Sequence, residues 1–337
     1  MENSEISIVE AGPFTLSNLL SAENRIELIE GIYRGLTRVQ KQISSRFFYD
    51  DIGSELFERI TGLPEYYPTR TEKALLQENV VNIVGDFERM DIIELGSGDC
   101  SKISIIMDSI PEEKISYIEY FPVDVSEAAV LKSADTLTRK YPGIKVSGLL
   151  ADFIKHLDAL PGNSPRLVCF FGSTMGNLTR KQANEFVINL KSLMRPGDRL
   201  LLGLDMVKAP GILHKAYNDT QGLTAQFNKN ILNVINDIAE SDFNTSDFEH
   251  LAFYNDKEAR IEMHLKALNN VRVSSRYFPE YVSLAKGETI HTENSHKFEP
   301  KHITQLGIIS GLNLIKTLTD SNQYFSLNIF EFPILNS

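Results

Sequence analysis

Short apolar runs recur along the middle of the chain, at 91–95, 117–123, 146–150, 167–171 and 199–204. Stretches with helical spacing of apolar residues lie among them, at 126–140, 153–159 and 180–194. A strand covered on both faces reads as a continuous apolar run, whereas a surface helix shows a period of 3.6. The alternation therefore predicts a parallel, doubly wound sheet. A helix over 71–84 leads into the first of these strands, and Arg195-Pro196-Gly197-Asp198 forms a turn before the last. Ahead of them the pattern predicts a strand at 6–9 and a helix at 22–36.

After 204 the alternation stops. A long amphipathic helix is predicted at 224–239, followed by β-like runs at 252–254, 260–267 and 281–284. Helical periodicity returns at 304–311, and strands at 314–319 and 324–330 close the chain as a hairpin. This change of pattern without a flexible linker marks a second domain. Between 46 and 70 aromatic residues are dense, and Pro64 and Pro68 prevent one continuous helix there. Most of those rings are expected to be core. The hydroxyls of Tyr49 and Tyr66 need partners if buried, which makes both candidates for a site lining.

The chemistry gathers at Asp91–Lys102, where apolar Ile92, Ile93 and Leu95 run into Gly96-Ser97-Gly98 and then a helical pattern. Glycines let a backbone approach a ligand closely and take positive φ, and the following helix start presents unpaired N–H groups. Taken alone, this pattern equally describes a structural turn. Asp124 ends the second apolar run, where doubly wound sheets commonly hold a ribose diol. The third run ends in Asp152-Phe153, an acid and a ring suited to the exocyclic amine and face of adenine. The third glycine of the dinucleotide fingerprint is absent, and Glu94 stands at the strand end. That combination suits S-adenosylmethionine, which has no phosphate, better than NAD.

Composition sets limits on the rest. The 337 residues suffice for a large α/β domain with an elaboration or for two domains. Hydrophobic content of 42% and charged content of 23% are those of an ordinary globular protein. A net charge of −11 argues against nucleic acid as partner. No apolar run is long enough for a membrane span, and the acidic N-terminus lacks signal-peptide order. Cys100 and Cys169 sit in or beside core strands and suggest neither disulfides nor a metal site. The expectation is a cytoplasmic monomer acting on a small molecule, without a metal.

The residues also carry a family resemblance over almost the whole chain. The segments are Phe48-Tyr-Asp-Asp-Ile-Gly-Ser-Glu-Leu-Phe, Leu63-Pro-Glu-Tyr-Tyr-Pro-Thr-Arg, Glu94-Leu-Gly-Ser-Gly and Phe171-Gly-Ser-Thr-Met-Gly-Asn-Leu-Thr. Tyr217-Asn-Asp, Thr224-Ala-Gln-Phe-Asn, Arg260-Ile-Glu-Met and His291-Thr-Glu-Asn-Ser-His-Lys-Phe complete the set. Together they resemble the histidine-specific Nα-methyltransferases, which use S-adenosylmethionine to make trimethylhistidine (hercynine) for ergothioneine biosynthesis.

The resemblance implies a Rossmann-like class I methyltransferase sheet with a second, α+β substrate-binding domain. The expected division is 71–207 plus 297–337 for the cofactor domain and 1–70 plus 208–296 for substrate recognition. Gly96, Lys102, Asp124, Asp152 and Phe153 would contact the cofactor, and Tyr49 would lie near the reacting methyl. Tyr66, Asn177, Tyr217, Met263, Glu293 and Ser295 would surround the amino acid. If their segment is extended, Glu293 and Ser295 point the same way and can meet the two nitrogens of an imidazole. Asn177 and Tyr217 could then donate to the substrate carboxylate. No His or Lys is an obvious base for the amine, which leaves solvent, Tyr49 or Tyr66. The chain departs from the family at Asp99-Cys100 and at Asn294, which puts the fine shape of the pocket in doubt. A fungal branch methylates a prenylated tryptophan, so another amino acid or amine is the alternative acceptor, and a non-catalytic sensor is the alternative role.

Overall fold

In the computed structural model, which describes residues 7–11, 14–20, 25–85 and 87–333, the apolar runs form strands and the periodic stretches mostly form helices. In chain order the strands are β1 (Ser7–Ala11), β2 (Phe14–Asn18), β3 (Lys41–Gln42), β4 (Met90–Leu95), β5 (Ile118–Asp124), β6 (Lys145–Leu150), β7 (Arg166–Phe170), β8 (Arg199–Asp205), β9 (Phe248–Asn255), β10 (Arg260–Ala267), β11 (Val271–Val273), β12 (Val282–Leu284), β13 (Thr289–His296), β14 (Asn313–Thr319) and β15 (Phe325–Glu331). The helices are α1 (Arg25–Leu36), α2 (Asp51–Thr61), α3 (Tyr67–Val84), α4 (Ser101–Asp108), α5 (Glu112–Ile115), α6 (Glu127–Lys140), α7 (Arg180–Leu193), α8 (Pro210–Tyr217), α9 (Leu223–Ala239) and α10 (Pro300–Ser310).

The chain divides into two units. One is Met1–Ala22, Pro68–Val207 and Lys297–Ser337; the other is Glu23–Tyr67 and Lys208–His296. The first holds a nine-stranded sheet in the order β1-β2-β6-β5-β4-β7-β8-β15-β14. Strands β2, β6, β5, β4, β7 and β8 are mutually parallel, and β15 runs antiparallel between β8 and β14. From β4 the chain adds strands first on one side and then, from β7, on the other. The order therefore reverses beside β4, which creates the crevice where doubly wound sheets hold ligands. Every residue of β4 is buried because helices cover both faces. Ile92 packs into one apolar cluster with Ile103, Ile106 and Leu137, while Ile93 packs into the opposite one with Val168, Phe170 and Phe186. Each such fully buried aliphatic side chain contributes about 1.5–3 kcal/mol.

Local sequence fixes where the helices begin. Ser126 caps α6 by accepting the Ala129 N–H at 3.3 Å, and Thr179 and Gln182 form a reciprocal box at the start of α7. Helix α3 starts at Tyr67, earlier than the expected 71, because Pro68 is tolerated in a first turn.

Two expectations need correction. The helix expected over 153–159 is a turn with a single 3₁₀ segment, Leu157–Ala159. There the Asp152 carboxylate accepts the Ile154 N–H at 3.0 Å and the Asp152 carbonyl takes the N–H groups of Lys155 and His156, a local pattern that competes with a helix. By contrast, the strand expected at 6–9 is present as Ser7–Ala11 and the helix expected at 22–36 as Arg25–Leu36; residues 6 and 22–24 lie outside the described residues. Finally, 1–70 was expected to belong wholly to the substrate domain. Instead β2 pairs in parallel with β6, from Phe14 opposite Val146 to Asn18 opposite Leu150, so the N-terminal strands extend the large sheet.

The second unit has a four-stranded sheet, β3-β13-β10-β9, and a β11-β12 hairpin. Helix α9 buries Phe227, Asn228, Ile231 and Ile235. Its first turn is capped by Asp219, whose carboxylate accepts the N–H groups of Leu223 at 2.9 Å and Thr224 at 2.8 Å. Strand β13 carries one extra residue against β10: Glu293 pairs with Met263 and His291 with His264, leaving Thr292 as a bulge. Among the described residues no helix is long and apolar enough to cross a membrane.

Candidate active site

In the first unit the glycine turn follows β4 directly. Gly96 and Gly98 have φ of +73° and +50°, a region open to glycine at little cost, and no atom lies within 4 Å of where a Cβ on Gly96 would stand. The loop is therefore open above Gly96. Asp124, at the end of β5, accepts the Gly98 N–H at 3.2 Å and the Ser126 N–H at 3.0 Å. Burial raises its carboxyl above the usual range, partly offset by those donors. The two departures in the loop have structural consequences. Asp99 accepts both the N–H and the hydroxyl of Ser101 at the start of α4, and Cys100 is buried in a left-handed conformation at φ +52°.

Lys102, in the first turn of α4, is paired with Glu72 at 2.8 Å. Glu72 is fully buried on α3 and also accepts the Gly172 N–H, with both oxygens within 3.0 Å. Lys102 is thus a neutralised cation, and the glycine turn lacks the uncompensated charge that a phosphate would call for. The donor set fits a phosphate-free cofactor such as S-adenosylmethionine. Glu94 is buried at the end of β4, accepts the Tyr120 hydroxyl at 2.6 Å, and is pushed up to about 8, chiefly by burial. Asp152 follows β6 and shapes its own turn, and the Phe153 ring packs edge-on against Phe170 at 5.1 Å. Asn177 closes the 3₁₀ turn Thr174–Asn177 after β7, on the same carboxyl end of the sheet as the glycine turn.

The remaining predicted residues lie in the second unit. Phe48, Tyr49, Phe57, Tyr66, Tyr217 and Phe227 form one aromatic cluster, with Tyr49 edge-on to Phe57 at 5.9 Å and Tyr66 edge-on to Tyr217 at 6.3 Å. The Tyr217 hydroxyl, expected like Asn177 to donate to a substrate carboxylate, donates here to Ser295 Oγ at 2.7 Å in a buried contact. Glu293 and Ser295 are two apart on β13, opposite Met263 and Ile261, so all four share a face. A carboxylate, a pair of linked hydroxyls and a thioether suit a polar heteroaromatic ring.

What holds that face together was not read from the sequence. The buried Asn228 donates from Nδ2 to His250 Nδ1 and to the His264 carbonyl, both at 2.9 Å, and its Oδ1 accepts the Thr292 hydroxyl at 2.7 Å. His250 Nε2 in turn donates to the Tyr217 carbonyl at 2.9 Å, and burial holds this histidine below its ordinary pKa, hence neutral. Asn228 closes the segment Thr224-Ala-Gln-Phe-Asn, the one available hint. Glu72 gave no hint, because an acid on an amphipathic helix reads as solvent-facing. A cavity of about 1000 Å³ opens at the opposite, amino ends of β4, β5 and β7, beside Phe87, Met90, Tyr117 and Arg166; its position excludes it as the cofactor crevice.

Comparison with known proteins finds relatives over most of the chain. A family described as "Histidine-specific methyltransferase, SAM-dependent" matches residues 28–332. A histidine N-alpha-methyltransferase of Mycobacterium tuberculosis is 38% identical over 304 residues, 90% of this chain and 94% of that protein. Another from Mycolicibacterium smegmatis is 39% identical over 317 residues, 94% of this chain and 98% of that protein. Ergothioneine biosynthesis protein 1 of Schizosaccharomyces pombe is 29% identical over 289 residues, 82% of this chain and 37% of that protein.

Proposed function

The chain belongs to the histidine-specific, S-adenosylmethionine-dependent methyltransferase family, and we propose that it methylates the α-amine of free L-histidine to give trimethylated hercynine. The observation that carries this reading is the shared face of Glu293 and Ser295 on β13, with Ser295 held by Tyr217. Glu293 would accept one imidazole N–H, and the Ser295 hydroxyl would meet the other nitrogen. Met263 would border the ring and Tyr66 the rest of the amino acid, with Asn177 donating to its carboxylate.

S-adenosylmethionine, when bound, supplies an electrophilic methyl group on a sulfonium. Gly96 and Lys102 would line its loop side, Asp124 the ribose diol, Asp152 the exocyclic amine and Phe153 the adenine face. Displacement at a sulfonium disperses charge, so alignment and exclusion of water matter more than a strong acid or base. Tyr49 is assigned to the reacting amine. Its phenol oxygen would accept an amine N–H and so orient the lone pair, and the proton leaves to solvent. With a net charge of −11, the protein is read as acting on a small molecule rather than nucleic acid.

Steady-state kinetics test the assignment. Glu293→Ala should raise the histidine KM about tenfold to a hundredfold while the cofactor Kd stays near wild type, because a site built for a polar ring is left unpaired. The double change Glu293→Met with Ser295→Ala should lower the preference for histidine over tryptophan. Unaltered KM and unaltered preference would remove the pair from the substrate site.

A further inference from the structure

The reverse face of the β10–β13 pair carries a constellation that methyl transfer does not use. Alternation sends Glu262 and His264 to the face opposite Met263, and His291 is the cross-strand neighbour of His264. One carboxylate oxygen of Glu262 and one ring nitrogen from each histidine lie within 4.8 Å of one another. Each of the three side chains is also held by a second partner. Glu262 Oε1 accepts Arg260 Nε at 2.8 Å, Arg260 Nη2 at 2.7 Å and Asn255 Nδ2 at 2.8 Å. Its other oxygen, Oε2, faces His264 Nε2 at 3.2 Å. His264 Nδ1 stands 3.2 Å from Thr289 Oγ1, and His291 Nε2 stands 3.0 Å from Asn294 Oδ1. Phe253 stacks on the His264 ring, with centroids 5.4 Å apart.

Two imidazoles and a carboxylate, each oriented through its far atom, form the donor set of first-row transition metals. Bonds of about 2.0–2.2 Å put neighbouring ligand atoms roughly 3 Å apart, which is the Glu262–His264 spacing already present. We propose that Glu262, His264 and His291 bind a divalent transition-metal ion such as Zn²⁺, clipping β10 to β13 behind the face that carries Met263, Glu293 and Ser295. Arg260 becomes the outer partner of the bound carboxylate, and its positive charge keeps the site exchangeable rather than permanently filled. The sequence concealed this set because its members come from separate strands, without the close spacing of a single-segment metal motif.

The test is metal binding by the full-length protein, with histidine left out because free histidine chelates metals. Calorimetry with Zn²⁺ and visible absorption with Co²⁺ should each show one equivalent bound, the latter with the intense d–d bands of a low-coordinate nitrogen and oxygen site. His291→Gln, half-buried and so the gentler change, should weaken binding by about tenfold or more. His264→Gln should do the same, and His302→Gln, on α10, should leave binding as in wild type. Failure of the wild-type protein to bind one equivalent overturns the proposal, as does binding retained in the His264→Gln/His291→Gln double variant. The cluster would then be only a hydrogen-bonded brace.

Discussion

Glu94 illustrates how much one residue's surroundings decide. Its carboxyl lies at about 8, against an ordinary 4.5, mainly because burial disfavours the charged form. The folded protein therefore keeps a proton that the unfolded chain releases above about 4.5. The stability this gives is complete below that pH and is lost as pH rises toward 8. Glu94→Gln, neutral throughout, should flatten the dependence in that window by up to about 1.4 kcal/mol per pH unit, read from denaturant unfolding across it. At Asp124 the expected change is in binding: Asp124→Ala should weaken S-adenosylmethionine by about 1–3 kcal/mol in calorimetry, the cost of a lost charge-assisted hydrogen bond. The positions of Gly96, Asp124 and Asp152 at strand ends and turns were legible because such places are local patterns. Glu72 was not, since its pairing with Lys102 depends on how α3 packs against β7, which no local pattern encodes.

At the scale of elements, the bulge in β13 decides which residues share the face of Met263. Thr292 is the extra residue, and Asn228 anchors it while tying His250 to the Tyr217 carbonyl. Removing that amide leaves buried donors and acceptors unmatched. Asn228→Ala should cost about 2–3 kcal/mol in unfolding free energy and raise the histidine KM, with the cofactor Kd unchanged. An unchanged KM would separate the bulge from substrate recognition. Long periodic elements such as α6, α7 and α9 were readable to within a few residues. The 153–159 stretch failed because Asp152 bonds its own backbone, and the domain assignment of the N-terminal segment because pairing at a sheet edge is a long-range choice.

For the whole molecule, the decisive feature is that the second unit is built from two separate segments of chain. The strand end at Asp205–Val207 and the returning Lys297–Phe298 lie side by side within the first unit, the Val207 N–H donating to the Phe298 carbonyl and the Phe298 N–H to the Asp205 carbonyl, each at 2.8 Å. Lys297 Nζ meets Asp205 Oδ2 at 2.7 Å, and both side chains are buried. Lys297→Met removes the ion-pair partner of a buried carboxylate and should cost about 3–5 kcal/mol, much of it restored by adding Asp205→Leu. A double-mutant cycle on unfolding free energy checks this, and simple additivity would refute the coupling.

Everything functional here rests on the identity of the methyl acceptor, and mass spectrometry of L-histidine incubated with the protein and isotope-labelled S-adenosylmethionine addresses it directly. Nα-methylation of histidine predicts successive labelled methyl groups on the α-nitrogen, ending at the trimethylated product. Label confined to an imidazole nitrogen, or no transfer to histidine while another amine is methylated, would contradict it.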